Sequence, residues 1–211
     1  MAGKYSPYSQ QSIDRIYNQL FCDELELFKP KLGDSPAPWQ LVLFSNPVDS
    51  KAVRNLSEDP TNESRVRVLA YNWLRENGKM VPKQKLLGVI VEVPLDGGLD
   101  TLAAFSDGGV RYINQTGQLA VIEGEVPQVK PLLKRLFAVS QEVVTEIGPW
   151  EEGRKPPPPQ GSIRFTFLVS DGLYFGQGPL EFMQKDSMGE PVLALATQLL
   201  QCVVKIATKK Y

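Results

Sequence analysis

The tripeptide Ser-Asp-Gly occurs twice, at residues 106–108 and 170–172, and its serines are candidate nucleophiles. A serine nucleophile needs an adjacent base, but the chain contains no histidine and no Ser-x-x-Lys or Gly-x-Ser-x-Gly motif. Asp-Gly between two β-like runs is, by contrast, a strong hairpin signal, because glycine and aspartate tolerate the positive φ of a type I′ turn. We therefore predict that Asp107-Gly108 and Asp171-Gly172 are turns and assign no catalytic residue.

The remaining motifs of catalysis and cofactor binding are also missing from the sequence. Without histidine, Ser-His-Asp and Cys-His catalysis and histidine-containing zinc sites are excluded. Gly-Gln-Gly-Pro at residues 176–179 lacks the third glycine of a dinucleotide fingerprint, and no Walker-type glycine loop is present. The acidic groups match no EF-hand spacing. We predict no cofactor and no metal site, although three acidic groups remain weak candidates: Asp23/Glu24/Glu26, Glu58/Asp59/Glu63 and Asp96/Asp100.

Composition and charge indicate an ordinary globular protein. Hydrophobic residues make up 42% of the chain and charged residues 22%, with 23 basic and 24 acidic side chains and no long run of one sign. We therefore expect neither a nucleic-acid surface nor a membrane-binding patch. Cys22 and Cys202, the two cysteines, suit buried and reduced thiols. The first residues lack an apolar leader, and "LLGVIVEV" is short and carries Glu92, so we expect a cytoplasmic protein.

The first third of the chain is predicted to be mostly helical. Ile13, Ile16, Tyr17 and Leu20 form one helical stripe, which we expect to run to about Phe28. The apolar run "WQLVLFS" at residues 39–45 predicts a strand. Two further helices are expected, one over residues 50–57 and one carrying the stripe around Leu69 and Leu74, with Gly78 just beyond its end.

From Leu86 the pattern changes to a period of two. Leu87, Val89, Val91 and Val93 alternate with other residues, and "TLAAF", "VRYIN" and "QLAVIE" follow, which predicts an antiparallel meander. A helical stripe over residues 131–147 comes next. After the proline-rich segment 150–161 we predict strands at "SIRFTFLV", "LYFGQ" and "LEFMQ", and a last helix from about Pro191.

These elements predict an α+β fold: a mainly antiparallel sheet with amphipathic helices packed on it, chiefly against one face. We expect residues 1–211 to form a single compact domain with a flexible proline-rich connector at 150–161. Each Ser-Asp-Gly triplet is followed by strands and then a helix, so the fold contains two similar hairpin-plus-helix units. Duplication and independent origin both remain open for these units.

Three classes of function remain. The first is a non-catalytic protein-interaction or adaptor protein of the cytoplasm, with another protein as its partner. The second is a small-molecule-binding module, and the third an enzyme that uses carboxylate, lysine or tyrosine chemistry. The broad apolar surface of the last helix predicts either packing against the helix at 131–147 or a homodimer. For the binding module, we expect the ligand to contact four aromatic residues: Tyr112, Phe165, Tyr174 and Phe175.

Overall fold

The computed structural model describes residues 3–31, 33–124 and 126–208. Its helices are α1 (Gln11–Leu20), α2 (Pro38–Leu43), α3 (Ser50–Glu58), α4 (Ser64–Glu76), α5 (Lys130–Glu146), α6 (Leu180–Met183) and α7 (Gly189–Thr208), with a 3₁₀ turn at Leu25–Phe28. Its strands are β1 (Leu86–Leu95), β2 (Gly98–Phe105), β3 (Val110–Ile113), β4 (Leu119–Ile122), β5 (Ser162–Val169) and β6 (Gly172–Pro179).

All six strands form one antiparallel sheet in the order β4-β3-β2-β1-β5-β6. The first four strands are the predicted meander, and β5 and β6 are added on the free side of β1. The central strand β1 therefore pairs with strands from both sides of the proline-rich connector. The predicted α+β fold with an antiparallel sheet is confirmed.

Helices cover both faces of the sheet, so our expectation that they pack chiefly against one face is wrong. Val89 and Val91 point into a core shared with α5 and α7, while Ile90 points into a second core shared with α1, α3 and α4. A β-bulge between Leu86 and Gly88 also breaks the predicted alternation. It places Leu87 in the second core, on the opposite face from Val89.

Several helix boundaries and two strands differ from the prediction. The first helix ends at Leu20, two residues before Cys22, whose φ of +54° is incompatible with a continuing helix. "WQLVLFS" is helical, because Pro38 begins α2 and the Gln40 side chain accepts a hydrogen bond from the Ala37 N–H at 2.8 Å. The predicted strand "LEFMQ" is the short helix α6.

The end of α4 follows the prediction. Gly78 lies just beyond the helix with a φ of +66°. Its N–H donates to the Arg75 carbonyl at 2.9 Å, and the Lys79 N–H donates to the Leu74 carbonyl at 2.8 Å. These two bonds form a Schellman motif, in which glycine is favoured because of its positive φ.

Both Ser-Asp-Gly triplets lie in turns, as predicted, but neither turn is centred on Asp-Gly. The first triplet is part of a four-residue connection, 106–109, in which Gly108 has a φ of +98°. In the second hairpin the central residues are Ser170 and Asp171, and Gly172 begins β6 without a positive φ. The predicted type I′ geometry is therefore wrong at both positions.

The aspartates hold these turns by accepting hydrogen bonds. The Asp107 carboxylate accepts the N–H of Ser64 at 2.7 Å and that of Gly109 at 2.9 Å. The Asp171 carboxylate accepts the N–H of Gln84 at 3.0 Å. Each triplet thus attaches an earlier part of the chain to the end of a hairpin, which explains its polar residues without catalysis.

The proline-rich connector is docked on the protein rather than free. The Trp150 N–H donates to the Leu173 carbonyl at 2.7 Å, next to the edge strand β6. Arg154 and Pro158 are buried, whereas most other residues of the connector are exposed. Specific side chains therefore anchor the connector in this structure, and its flexibility stays a prediction.

The last helix, α7, is long and apolar enough to cross a membrane, with a mean hydropathy of 1.5 over its best window. Among the described residues it is the one helix that meets this criterion. Its apolar stripe contacts α5 and the sheet, as in the intramolecular alternative, through Val192, Leu195, Leu199 and Val203. A homodimer formed through α7 stays a prediction.

Candidate functional site

The four aromatic residues predicted to bind a ligand do not come together. Phe165 and Tyr174 are buried in the core beneath α5 and α7. Tyr112 lies on the same face but on β3, and its hydroxyl donates to Asp100 at 2.8 Å. Phe175 points to the opposite face, where its ring packs edge-on against Trp150 at 5.0 Å.

A row of polar side chains crosses the sheet on the face covered by α1. Thr101, Glu92, Arg164 and Gln177 are paired directly in register on β2, β1, β5 and β6. The Arg164 guanidinium donates two hydrogen bonds to the Gln177 side-chain oxygen, at 2.9 and 2.6 Å. Its Nη1 lies 3.7 Å from Glu92 Oε2, an ion pair without a hydrogen bond. We call these four residues the polar row.

Two tyrosines from the N-terminal part of the chain cover the polar row. The Tyr17 hydroxyl donates to Glu92 Oε1 at 2.7 Å. The Tyr8 hydroxyl shares a hydrogen bond with Thr101 at 2.9 Å. Burial raises the pKa of both phenols, and the charge of Glu92 raises them further, so both tyrosines stay neutral near pH 7.

The Glu92 carboxyl is fully buried at 0% exposure. Burial raises its pKa. The hydrogen bond from Tyr17 and the charges of Arg164 and Arg154 lower the pKa, but by less than burial raises it. Among the described residues, Glu92 Oε2 has no hydrogen-bond partner, which fits the dominance of burial. A charge inside the apolar run "LLGVIVEV" was the sequence signal for this site, although it does not identify the partners.

The burial of Glu92 predicts how stability depends on pH. The pKa of Glu92 is higher in the folded state than in the unfolded chain, so protonation of Glu92 stabilises the fold. This stabilisation is fully present below the unfolded pKa of about 4.3 and is lost as pH rises through the folded pKa. We expect Glu92→Gln to gain stability relative to the unmodified chain as pH rises from about 4 to 8. Urea unfolding of both proteins at each pH measures this difference. A difference that is constant, or that shrinks with pH, would show that Arg164 outweighs burial.

An open groove lies between the turn at 106–109 and the start of α5. Its volume is about 360 Å³. The groove brings together the end of β2, the segment before α5 and the first two turns of that helix. Sequence periodicity does not predict that these three segments lie side by side. Its apolar lining consists of Phe105, Val126, Val129, Leu133 and Phe137.

Lysines run along the helical side of this groove. Lys130 and Lys134 directly follow Val129 and Leu133. Because the two residues of each kind are four positions apart, the lysines form one row along the groove and the apolar residues form an adjacent one. Among the described residues of the lining, Asp107 is the acidic one, and both of its oxygens accept backbone N–H bonds within the turns. The groove therefore combines an apolar floor with the exposed cation Lys134 on its helical side.

Among the described residues, no group of three or more histidine, cysteine, aspartate or glutamate side chains is arranged to hold a metal ion. No family model matches the chain, and neither a curated protein nor a solved structure matches it. Function therefore has to be inferred from the geometry of this chain.

Proposed function

We propose that this chain is a non-catalytic protein-interaction module, and that the groove beside α5 binds an acidic, amphipathic segment of a partner protein. The observation that carries this proposal is the apolar floor of the groove beside the exposed Lys134 of α5. The burial of Glu92, Tyr8 and Tyr17 supports a structural role for the polar row.

The chemistry of the groove determines what its ligand should look like. An amphipathic helix binds in an apolar groove through anchors of its own, spaced three or four residues apart. Here those anchors would lie along Val129, Leu133 and Phe137, which form the helical side of the apolar floor. Carboxylates flanking such anchors would face the lysine row, and their attraction would raise the association rate. We therefore expect an aromatic or leucine anchor with aspartate or glutamate on either side.

Small-molecule binding is the second candidate. The groove volume of about 360 Å³ lies within the range of small-molecule pockets, about 300–1,000 Å³. The same lining would suit an apolar molecule that carries a carboxylate or another anionic group. Such a ligand would be shorter than a peptide that forms two helical turns.

The peptide proposal predicts a charge effect at Lys134. Peptides selected from a random display library on the unmodified chain should be enriched in acidic residues around an apolar anchor. We expect Lys134→Glu to weaken binding of a selected peptide by about fivefold or more, because it places a like charge beside the peptide carboxylates. Fluorescence polarisation of the labelled peptide measures this change.

Lys205→Glu is the matched control, since it makes the same charge change on an exposed lysine of α7. Its affinity for the peptide should equal that of the unmodified chain. Equal weakening by both variants would indicate net charge alone, and no weakening by Lys134→Glu would refute the groove as the binding site. If no peptide is selected but an apolar carboxylate binds and loses affinity in Lys134→Glu, the small-molecule alternative is the correct one.

A further inference from the structure

The buried arginine of the connector lies in a cage of aromatic rings. The Arg154 side chain is only 2% exposed. Its guanidinium carbon lies 4.0 Å from the ring centre of Phe21, 4.9 Å from that of Tyr5 and 5.5 Å from that of Tyr17. Cation–π attraction at these distances is strengthened when the cation is shielded from water. The rings belong to residues 5–21, more than a hundred positions before Arg154 in the sequence.

Polar groups complete this cage. Arg154 Nε donates to Asp23 Oδ2 at 2.8 Å, and Nη2 donates to Asn18 Oδ1 at 2.7 Å. The Glu24 carboxylate lies 3.8 Å from Nη2. We call this set the arginine cage: Tyr5, Tyr17, Asn18, Phe21, Asp23 and Glu24.

The fit of Arg154 to the cage leaves polar atoms without a partner. Among the described residues, neither Arg154 Nη1 nor Asp23 Oδ1 has a hydrogen-bond partner. A buried donor or acceptor without a partner is destabilising, because it has lost its hydrogen bonds to water and gained none in return. The bonds that hold Arg154 are therefore partly offset, and another arginine that also donates to Asp23 Oδ1 would bind the same cage at least as well.

The cage is closed by the connector but reaches the surface at its rim. The side chains of Asp23 and Glu24 are 19% and 30% exposed. The Tyr5 hydroxyl donates to the Arg154 carbonyl at 2.6 Å, and Gly153 and Lys155 on either side of Arg154 are exposed. Movement of this short stretch would open the cage without separating any of the six strands.

We propose that the arginine cage is a recognition site for an arginine side chain, that the chain itself occupies it with Arg154, and that an arginine of a partner protein can replace Arg154. The tethered Arg154 acts as an intramolecular competitor, so the apparent affinity for the partner falls in proportion to the fraction of open cage. The arginine cage lies apart from the groove beside α5, and this proposal does not depend on the groove.

The cage favours arginine over lysine because of its geometry. A planar guanidinium can lie against the Phe21 ring and still donate in its plane to Asp23 and Asn18. A lysine ammonium is a compact charge that is more strongly hydrated, and it lacks the fixed fork of donors. The ligand class is therefore an arginine-containing peptide segment.

The first test empties the cage. Arg154→Ala should bind N-acetyl-arginine amide saturably in calorimetry, and at least tenfold more tightly than the neutral isostere N-acetyl-citrulline amide or the lysine analogue. Arg135→Ala is the matched control, because it removes an exposed arginine of α5 and leaves Arg154 and the connector unchanged. It should bind the probe no more tightly than the unmodified chain. A folded Arg154→Ala protein that does not bind the probe, or that binds citrulline equally well, would overturn the proposal.

The second test uses the unmodified chain and decides the question even if Arg154→Ala does not fold. Saturation with the arginine probe should speed amide hydrogen exchange in residues 150–155, where the Trp150 N–H is bonded to the Leu173 carbonyl. Where Arg154→Ala folds, the unmodified chain should bind the probe at least tenfold more weakly than that variant does. Citrulline amide should leave the exchange unchanged. If the arginine probe does not speed exchange at any soluble concentration, Arg154 is a fixed structural residue and the proposal fails. Lys134→Glu should leave both results unchanged, which separates this proposal from the groove.

Discussion

Replacing Arg164 with leucine should lower the free energy of unfolding by about 3–5 kcal/mol at neutral pH, the typical cost of removing one partner of a buried ion pair. Arg164 is only 4% exposed, and the fully buried Glu92 lies opposite it on β1. The variant also loses the two hydrogen bonds to Gln177 and the bond from Arg164 Nη1 to the Lys155 carbonyl at 3.2 Å. Urea unfolding at pH 7 measures the loss.

A double variant tests the cause of this loss. Adding Glu92→Leu to Arg164→Leu should recover a large part of the stability, because the buried carboxyl that has lost its partner is then removed from the core. Arg135→Leu, which removes an exposed arginine of α5, is the control and should change the stability by less than about 0.5 kcal/mol. If the double variant is as unstable as the sum of the two single variants, the ion pair does not account for the loss.

Replacing Leu199 with alanine should cost about 2–5 kcal/mol, because the side chain is completely buried and its removal leaves a cavity. Leu199 lies in the middle of α7, on the stripe that contacts α5 and the sheet. The result tests whether α7 is a core helix of the folded chain. Thermal and urea unfolding of the purified variant measure it.

Val204→Ala provides the comparison on the outer side of α7. Val204 is 40% exposed, so its truncation should change stability by less than about 0.5 kcal/mol in the monomer. Sedimentation at micromolar concentrations then tests the predicted homodimer. If the chain is dimeric and Val204→Ala shifts it towards monomer, α7 forms the dimer contact; a monomer mass for the unmodified chain refutes the homodimer.

A small effect of Leu199→Ala would mean that α7 does not pack as described.

Local patterns were sufficient for most helices and for the meander. The period of two from Leu86 onward predicts β1 to β4, because each of these strands has its pairing partner next in the chain. Gly78 marks the end of α4, since a Schellman motif depends on residues within one turn. These features involve neighbours in sequence, so composition and spacing are enough.

Local patterns failed where two structures fit the same residues. "WQLVLFS" is apolar and short enough for a strand, but Pro38 and Gln40 begin a helix there. Leu87 matches the alternation of β1, yet the bulge at Leu86 and Gly88 turns it to the other face. In both cases a local feature, the start of a helix or a β-bulge, outweighs a weak periodic preference.

The sequence by itself determined the fold class, the two turns that carry Ser-Asp-Gly, and the absence of histidine-based catalysis, because each depends on composition or on nearby residues. Only the tertiary structure brought Glu92 against Arg164 and placed Arg154 among Tyr5, Phe21 and Asp23. These contacts join residues about 70 to 150 positions apart. They depend on β5 adding beside β1 and on the connector crossing back over α1, and no local pattern encodes that strand order.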